Sequence, residues 1–218
     1  NFDRRIPYNL ILTGIDGWMT EWFMVSVLKT EILKDGSILL SGPNPAKTTY
    51  NVILKTDVAA ITGFRLEALT HKSLPGKGPG RGDDKRPNFV LYEFDLQQQS
   101  SADAAELSPV ELHSARADFS QKNWDVGGLI DGDRKTGWAI NPQFGKDHRA
   151  TFLTTKPLNP DGKEITLRVT LPQHFGGART MGRMRFSAMT GDPGIERLAD
   201  DVRAALKIEP EKGNKKQT

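Results

Sequence analysis

Lys163-Glu-Ile-Thr-Leu-Arg-Val-Thr-Leu171 carries the cleanest alternation in the chain: Ile165, Leu167, Val169 and Leu171 on one face, Thr166, Arg168 and Thr170 on the other. A period of two places successive side chains on opposite faces of a pleated strand, so this stretch predicts a half-buried β-strand. The same pattern recurs outward from it. Tyr50, Val52 and Leu54 share a face within 50–55, and Phe64, Leu66 and Ala68 share another. Asn88 to Leu96 sets Val90, Tyr92, Phe94 and Leu96 against Phe89, Leu91, Glu93 and Asp95. Further strands are predicted at 23–33, 37–40, 111–119, 148–155 and 183–190. Turn signals such as Asp35-Gly36, Gly42-Pro43-Asn44-Pro45 and Asp161-Gly162 separate them. About nine or ten short strands with no helix between them read as an all-β sandwich or barrel.

Composition narrows the function classes. The 218 residues contain 21 glycines and 13 prolines, scattered between short apolar runs, which suits many turns. There is no cysteine, so disulfides, thiolate nucleophiles and cysteine-ligated metal are excluded within the chain. A net charge of +3 and intermixed signs give no basic stripe with interleaved aromatics, which argues against a nucleic-acid partner. No apolar run reaches the roughly 18 residues of a membrane span. Asn1-Phe2-Asp3-Arg4-Arg5 lacks the hydrophobic stretch of a signal peptide, and a chain opening on Asn1 reads as a piece of a larger protein.

Three stretches depart from the strand pattern and set the domain boundaries. Residues 1–22 read as an N-terminal linker or wrap, with Trp18 and Trp22 as its anchors; 23–191 form the β-sandwich domain. Residues 192–218 hold a short helix and a polar tether. The helix is predicted over 193–206, with Asp192 as cap, Pro193 in its first turn, and Ile195, Leu198, Val202 and Leu206 on one face. Inside the domain, 73–87 is a long loop rich in Gly and Pro. A loop of about 15 residues in a compact domain is often functional, and the alternative is disorder.

Gly128-Leu-Ile-Asp-Gly-Asp-Arg-Lys-Thr-Gly-Trp138 puts Asp131, Asp133 and Thr136 on a glycine-pinned turn. Oxygen donors so grouped suit a hard cation. Asp-Gly-Asp is equally ordinary surface-turn chemistry, and the spacing alone leaves both readings open. No enzyme motif competes. Glycoside hydrolysis needs two carboxylates about 5–9.5 Å apart across a cleft. The acid pairs Asp83-Asp84, Asp131/Asp133 and Asp200-Asp201 have no partner that spacing singles out. No Gly-x-Ser-x-Gly elbow and no P-loop occur.

The run 129–138, with Ser114-Ala-Arg-Ala117 before it, resembles the signature of galactose-binding-like β-sandwiches, which include discoidin domains and many carbohydrate-binding modules. The resemblance implies a galactose-binding-like sandwich (jelly roll) and one structural Ca²⁺. Its ligands would be Asp131, Asp133, Thr136 and the Gly128 carbonyl, with Glu93 and the Tyr92 carbonyl from Leu91-Tyr92-Glu93-Phe94. In discoidin domains the Glu-bearing strand closes the chain, whereas Glu93 precedes the turn, so the resemblance implies a permuted strand order. Glu93 is also a carboxylate among apolar neighbours, and such a group needs a compensating charge or hydrogen bonds.

A second resemblance covers most of the chain. Asp35-Gly-Ser-Ile-Leu-Leu-Ser-Gly-Pro-Asn44, Ile61-Thr-Gly-Phe-Arg-Leu-Glu-Ala-Leu69, Gly78-Pro-Gly-Arg81, Asn88-Phe-Val-Leu-Tyr-Glu-Phe94 and Ala117-Asp-Phe-Ser-Gln121 contribute to it. Trp138-Ala-Ile-Asn-Pro-Gln-Phe-Gly145, His148 and Gly182-Arg-Met-Arg-Phe-Ser187 continue it. Together they resemble the inter-domain region of large planctomycete proteins that carry a cytochrome-c-like domain. That resemblance implies a periplasmic, secreted or cell-surface setting, with neighbouring domains of the same polypeptide as partners.

Candidate ligand-binding residues follow from chemistry. Trp124, in the polar stretch 121–125, is a flat surface for the apolar face of a sugar ring, or else a packing residue. Trp138 is read as core, with an indole that needs a hydrogen-bond partner. His148, and Gln173-His174-Phe175, fall at strand ends where they would bind hydroxyls, or else face solvent with no role. Arg81 suits an anionic sugar substituent through its planar fork, or else ties down its own loop. The expected function is a non-catalytic carbohydrate-binding module that binds a polysaccharide. The alternatives are an interaction domain that orients its neighbours without binding sugar, and a glycoside hydrolase.

Overall fold

The computed structural model describes residues 4–5, 28–99 and 107–192. The predicted linker with Trp18 and Trp22, the first part of the strand at 23–33, the 193–206 helix and the polar tether lie outside them. In chain order come β1 (Arg4–Arg5), β2 (Lys29–Ile32), β3 (Ile38–Ser41), β4 (Thr48–Thr56), β5 (Ile61–Ala68), β6 (Val90–Leu91) and β7 (Asp95–Gln99). Then follow β8 (Ser108–Pro109), β9 (Leu112–Ala117), β10 (Trp138–Ala139), β11 (His148–Leu158), β12 (Ile165–Gln173) and β13 (Arg183–Thr190). Among the described residues, helical turns are confined to the short 3₁₀ segments Pro75–Lys77 and Val126–Leu129.

All pairings are antiparallel. One sheet runs β2-β3-β13-β5-β11-β9 with β1 also beside β13, a second runs β4-β12-β7-β8, and β10 pairs with β6 in a small ladder. The expected alternation is realised in β12, whose Ile165, Leu167, Val169 and Leu171 are all buried. Register sets Leu167 opposite Leu54, Val169 opposite Val52, and Leu171 opposite Tyr50. Directly opposed residues on one face pack as pairs, the unit of sheet stabilisation. Phe94, just before β7, stacks on Phe152 of β11 with ring centroids 4.5 Å apart, and tilts against Phe186 of β13. The two larger sheets therefore share one core, as a β-sandwich requires.

Two expectations change. The single strand over 88–96 is two short strands, because the chain changes partner within it. Val90 and Leu91 pair with β10, whereas Asp95 onward pairs with β12. Between them the Tyr92 amide donates to the Pro172 carbonyl and the Phe94 amide to that of Leu129. Both faces of this crossing are covered: Phe89, Leu91 and Glu93 are as buried as Val90 and Phe94. The 73–87 loop, in turn, is built into the molecule. Gly80 bridges to Met181, and the Arg81 amide donates to Thr180 at 2.7 Å.

Candidate functional site

The acidic turn lies against the crossing segment. A Cβ on Gly137 would run into the Leu91 carbonyl and lie 2.9 Å from the Tyr92 Cα, so only glycine permits that approach. A Cβ on Gly128 would likewise collide with Gly137 and Thr136. Within the turn, Asp131 Oδ1 accepts from the Asp133 amide at 2.8 Å. The Thr136 hydroxyl lies 2.8 Å from Asp131 Oδ2 and 2.7 Å from the Asp133 carbonyl. Asp131 and Asp133 are exposed, and Thr136 is half-buried.

Glu93 faces this turn from the other side. It is 5% exposed, and its Oε1 finds no hydrogen-bond partner. Burial pushes its pKa up to about 7, with Asp95, Asp131 and Asp133 adding negative charge and Arg134 opposing them. Asp95 is raised too, by burial, against the same Arg134. Asp95, Asp131 and Asp133 thus all bear on Glu93, whose buried Oε1 lacks a donor. That is the environment a bound cation relieves, since it holds the carboxylates ionised. Among the described residues no three His, Asp or Glu side chains are already set to hold a metal. A cation here would draw equally on backbone carbonyls and Thr136, the mixture that calcium takes.

A second feature uses the neighbouring residue. The Tyr92 ring meets Trp124 edge-on at 5.7 Å, and Trp124 meets Phe175 edge-on at 5.4 Å. Trp124 and Phe175 line a cleft of about 310 Å³ together with Asn88, Gln121, Asn141 and Arg179; Arg86, Val90 and Phe144 complete its wall. Trp124 is held by a tight turn, its amide donating to Gln121 at 2.9 Å. The Gln121 Oε1 accepts from Asn88 Nδ2 and from the Asn141 amide, both at 3.1 Å. Asn88 Oδ1 accepts from the Ile140 amide at 3.1 Å. These bonds fix two amide groups beside the aromatic wall. Phe175 remains 42% exposed, one of two large apolar side chains left open among the described residues.

The other residues singled out from sequence do not line this cleft. His148 is buried, with Nδ1 2.8 Å from Asp118 Oδ2 and Nε2 2.6 Å from the Gln143 carbonyl. A carbonyl and a carboxylate both accept, so the arrangement favours the imidazolium, with a proton on each ring nitrogen. Burial opposes that charge, but the bonds to Asp118 and Gln143 outweigh it and raise the pKa. Gln173 is 1% exposed and accepts from the Met181 amide. Arg81 is 6% exposed and donates Nη2 to the Gly42 and Pro43 carbonyls at 2.7 and 3.1 Å, which ties two loops together. His174 is exposed, with Nε2 2.9 Å from Thr49 Oγ1. Trp138 is fully buried, and its indole donates to the Phe119 carbonyl at 2.8 Å, as expected. Arg183 and Arg185 find acid partners in Asp35 and Glu67.

Asn88, Asn141, Phe144, Arg86 and Arg179 were not legible as site residues. They are far apart in the chain and match no motif, and only Trp124 and Phe175, singled out from sequence, pointed toward the cleft. A wider groove of about 740 Å³ runs along β7 and β9 and includes Glu93, Asp95, Glu111, Leu96 and Leu112. No helix among the described residues is long and apolar enough to cross a membrane. No protein-family model matches this chain, and neither a curated protein nor a solved structure does.

Proposed function

We propose that this chain is a non-catalytic carbohydrate-binding module of galactose-binding-like type that holds a polysaccharide in the Trp124–Phe175 cleft. The observation that carries the reading is the composition of that cleft: an aromatic wall beside fixed amides. Sugar rings present apolar C–H faces to aromatics and hydroxyls to amides, so such a wall suits them. A structural Ca²⁺ accompanies it, held by Glu93, Asp131, Asp133 and Thr136 with the Gly128 and Tyr92 carbonyls. Its chemistry is charge neutralisation and stiffening. Tyr92 packs on Trp124 while Glu93 faces the acidic turn, so the ion would brace the cleft from behind. The strand order is permuted under this reading, since Glu93 precedes a turn that it faces. The parent protein is an exported planctomycete-type protein with a cytochrome-like neighbour, by resemblance of the segments quoted above.

Affinity electrophoresis against a panel of polysaccharides tests the reading. Binding is expected for at least one, and Trp124→Ala should weaken it tenfold or more, about 1.4 kcal/mol, with the melting temperature kept. No binding at millimolar concentration would favour the interaction-domain alternative. Release of reducing sugar from a bound glycan would point instead to a hydrolase.

A further inference from the structure

The residues lining the cleft include two arginines, Arg86 and Arg179, and no carboxylate. Among the described residues, several other arginines are tied to acceptors. Arg183 reaches Asp35 at 2.6 Å, Arg185 grips Glu67 at 2.6 and 2.8 Å, and Arg168 binds the Gln97 amide oxygen. Among the described residues, neither Arg86 nor Arg179 has a carboxylate within ion-pair distance. Arg86 is exposed. The Arg179 guanidinium carbon lies 4.9 Å from the centre of the Phe175 ring.

That stacking matters physically. A guanidinium over an aromatic face gains a cation–π attraction and loses rotamer freedom before any ligand arrives, so less entropy is lost on binding. Its planar fork matches sulfate and carboxylate geometry with two parallel hydrogen bonds. Acids nearest in sequence are otherwise engaged: Asp83 Oδ1 accepts from the Lys85 and Arg86 amides at 2.9 and 2.8 Å, and Asp84 Oδ1 from Gly76 at 3.0 Å. Among the described residues, the positive charge at the cleft has no carboxylate partner.

We infer that the cleft takes an acidic saccharide, one bearing sulfate or carboxylate groups, with Arg86 and Arg179 engaging the anionic substituent while Trp124 and the Gln121 amide engage the ring. This rests on the polysaccharide reading above and names its substrate class.

The 218-residue chain is titrated calorimetrically, at two salt concentrations, with a neutral β-glucan, a neutral galactomannan, polygalacturonate, a carrageenan and polyglutamate. An anionic glycan is expected to bind at least tenfold tighter than either neutral one, and more weakly at the higher salt. Whether carrageenan or polygalacturonate leads tells sulfate from carboxylate. Arg86→Gln and Arg179→Gln should each lower that affinity about fivefold or more, and Lys34→Gln, which removes an exposed charge outside the cleft, should not. Arg179→Lys keeps the charge but loses the fork, and should fall between. Neutral glycans bound as tightly, or arginine variants binding like the parent, would overturn the inference while leaving the polysaccharide reading intact. Polyglutamate bound as tightly as the best glycan would also overturn it, as adhesion by charge alone. No glycan bound at all would remove both.

Discussion

At the residue scale, Glu93 is the most telling side chain. Alternation places a carboxylate among apolar neighbours at this position, and the structure buries it to 5% exposure with Oε1 unpaired. The turn it faces supplies two more carboxylates, and Arg134 opposes their effect on Glu93. If calcium binds here, it stabilises the folded chain by mass action, about 2.7 kcal/mol at 100 times its Kd. For a domain of this size that corresponds to about 5–10 °C in melting temperature. Scanning calorimetry with and without chelator measures it. Glu93→Gln should abolish the calcium increment, yet melt no lower than the parent in chelator, because the amide removes a buried charge. A melt that ignores calcium, together with blank metal analysis, would sink the proposed ion. None of this convergence follows from the motif alone. The turn was legible from its Asp-Gly-Asp spacing, whereas its approach to residues 91–93 depends on Gly137 and a contact across distant sequence.

At the element scale, buried His148 helps hold the connection from β10 to β11, with the more exposed Asp118 as its partner. His148 opens β11 and reaches back to the Gln143 carbonyl, between Asn141 and Phe144 of the cleft, while its other nitrogen meets Asp118. Burial disfavours the imidazolium, but Asp118 and Gln143 prevail and raise the His148 pKa, with Lys146 opposing. Burial likewise acts against the Asp118 carboxylate, and the bonds from His148 and the Arg149 amide overcome it, so its pKa is lowered. The signs then set the window. The His148 contribution is complete below the ordinary histidine pKa, about 6.5, and is lost as pH rises through its raised value. The Asp118 contribution is complete above the ordinary carboxylate range, about 4, and is lost as pH falls through its lowered value. The pair is therefore strongest from about pH 4 to 6.5. His148→Gln should cost about 1–2 kcal/mol at pH 6, and less at pH 9. Melting curves across that range check it; a pH-independent deficit would show that only packing was lost. The sequence placed His148 at a strand end correctly, but its burial comes from Asp118 and Gln143, which the fold brings from either side.

At the scale of the whole molecule, the two larger sheets meet through aromatic contacts such as Phe94 on Phe152. Phe94 is 2% exposed and follows the crossing segment directly. Phe94→Ala should therefore destabilise the protein by about 3–5 kcal/mol, read as a lower denaturation midpoint in urea. Phe175→Ala, at a ring 42% exposed, should cost far less stability while weakening glycan binding. The contrast separates residues that hold the sheets together from those that face a ligand. If both variants lost equal stability, the cleft wall would belong to the core and the proposed division of roles would fail.

The class of structure was legible in local pattern. Period-two alternation in 50–55, 163–171 and 183–190 is a local property of the pleated chain, and the strands over those stretches follow it closely. The Gly and Pro turn signals are local in the same sense. Long-range contacts set which strands pair, that 88–96 divides where it changes partner, and that Arg81, His148 and Gln173 lie inside. They also placed Trp124 and Phe175 in one cleft with Arg86 and Arg179. Those outcomes rest on long-range pairing and close backbone approach, and no window of neighbouring residues encodes either.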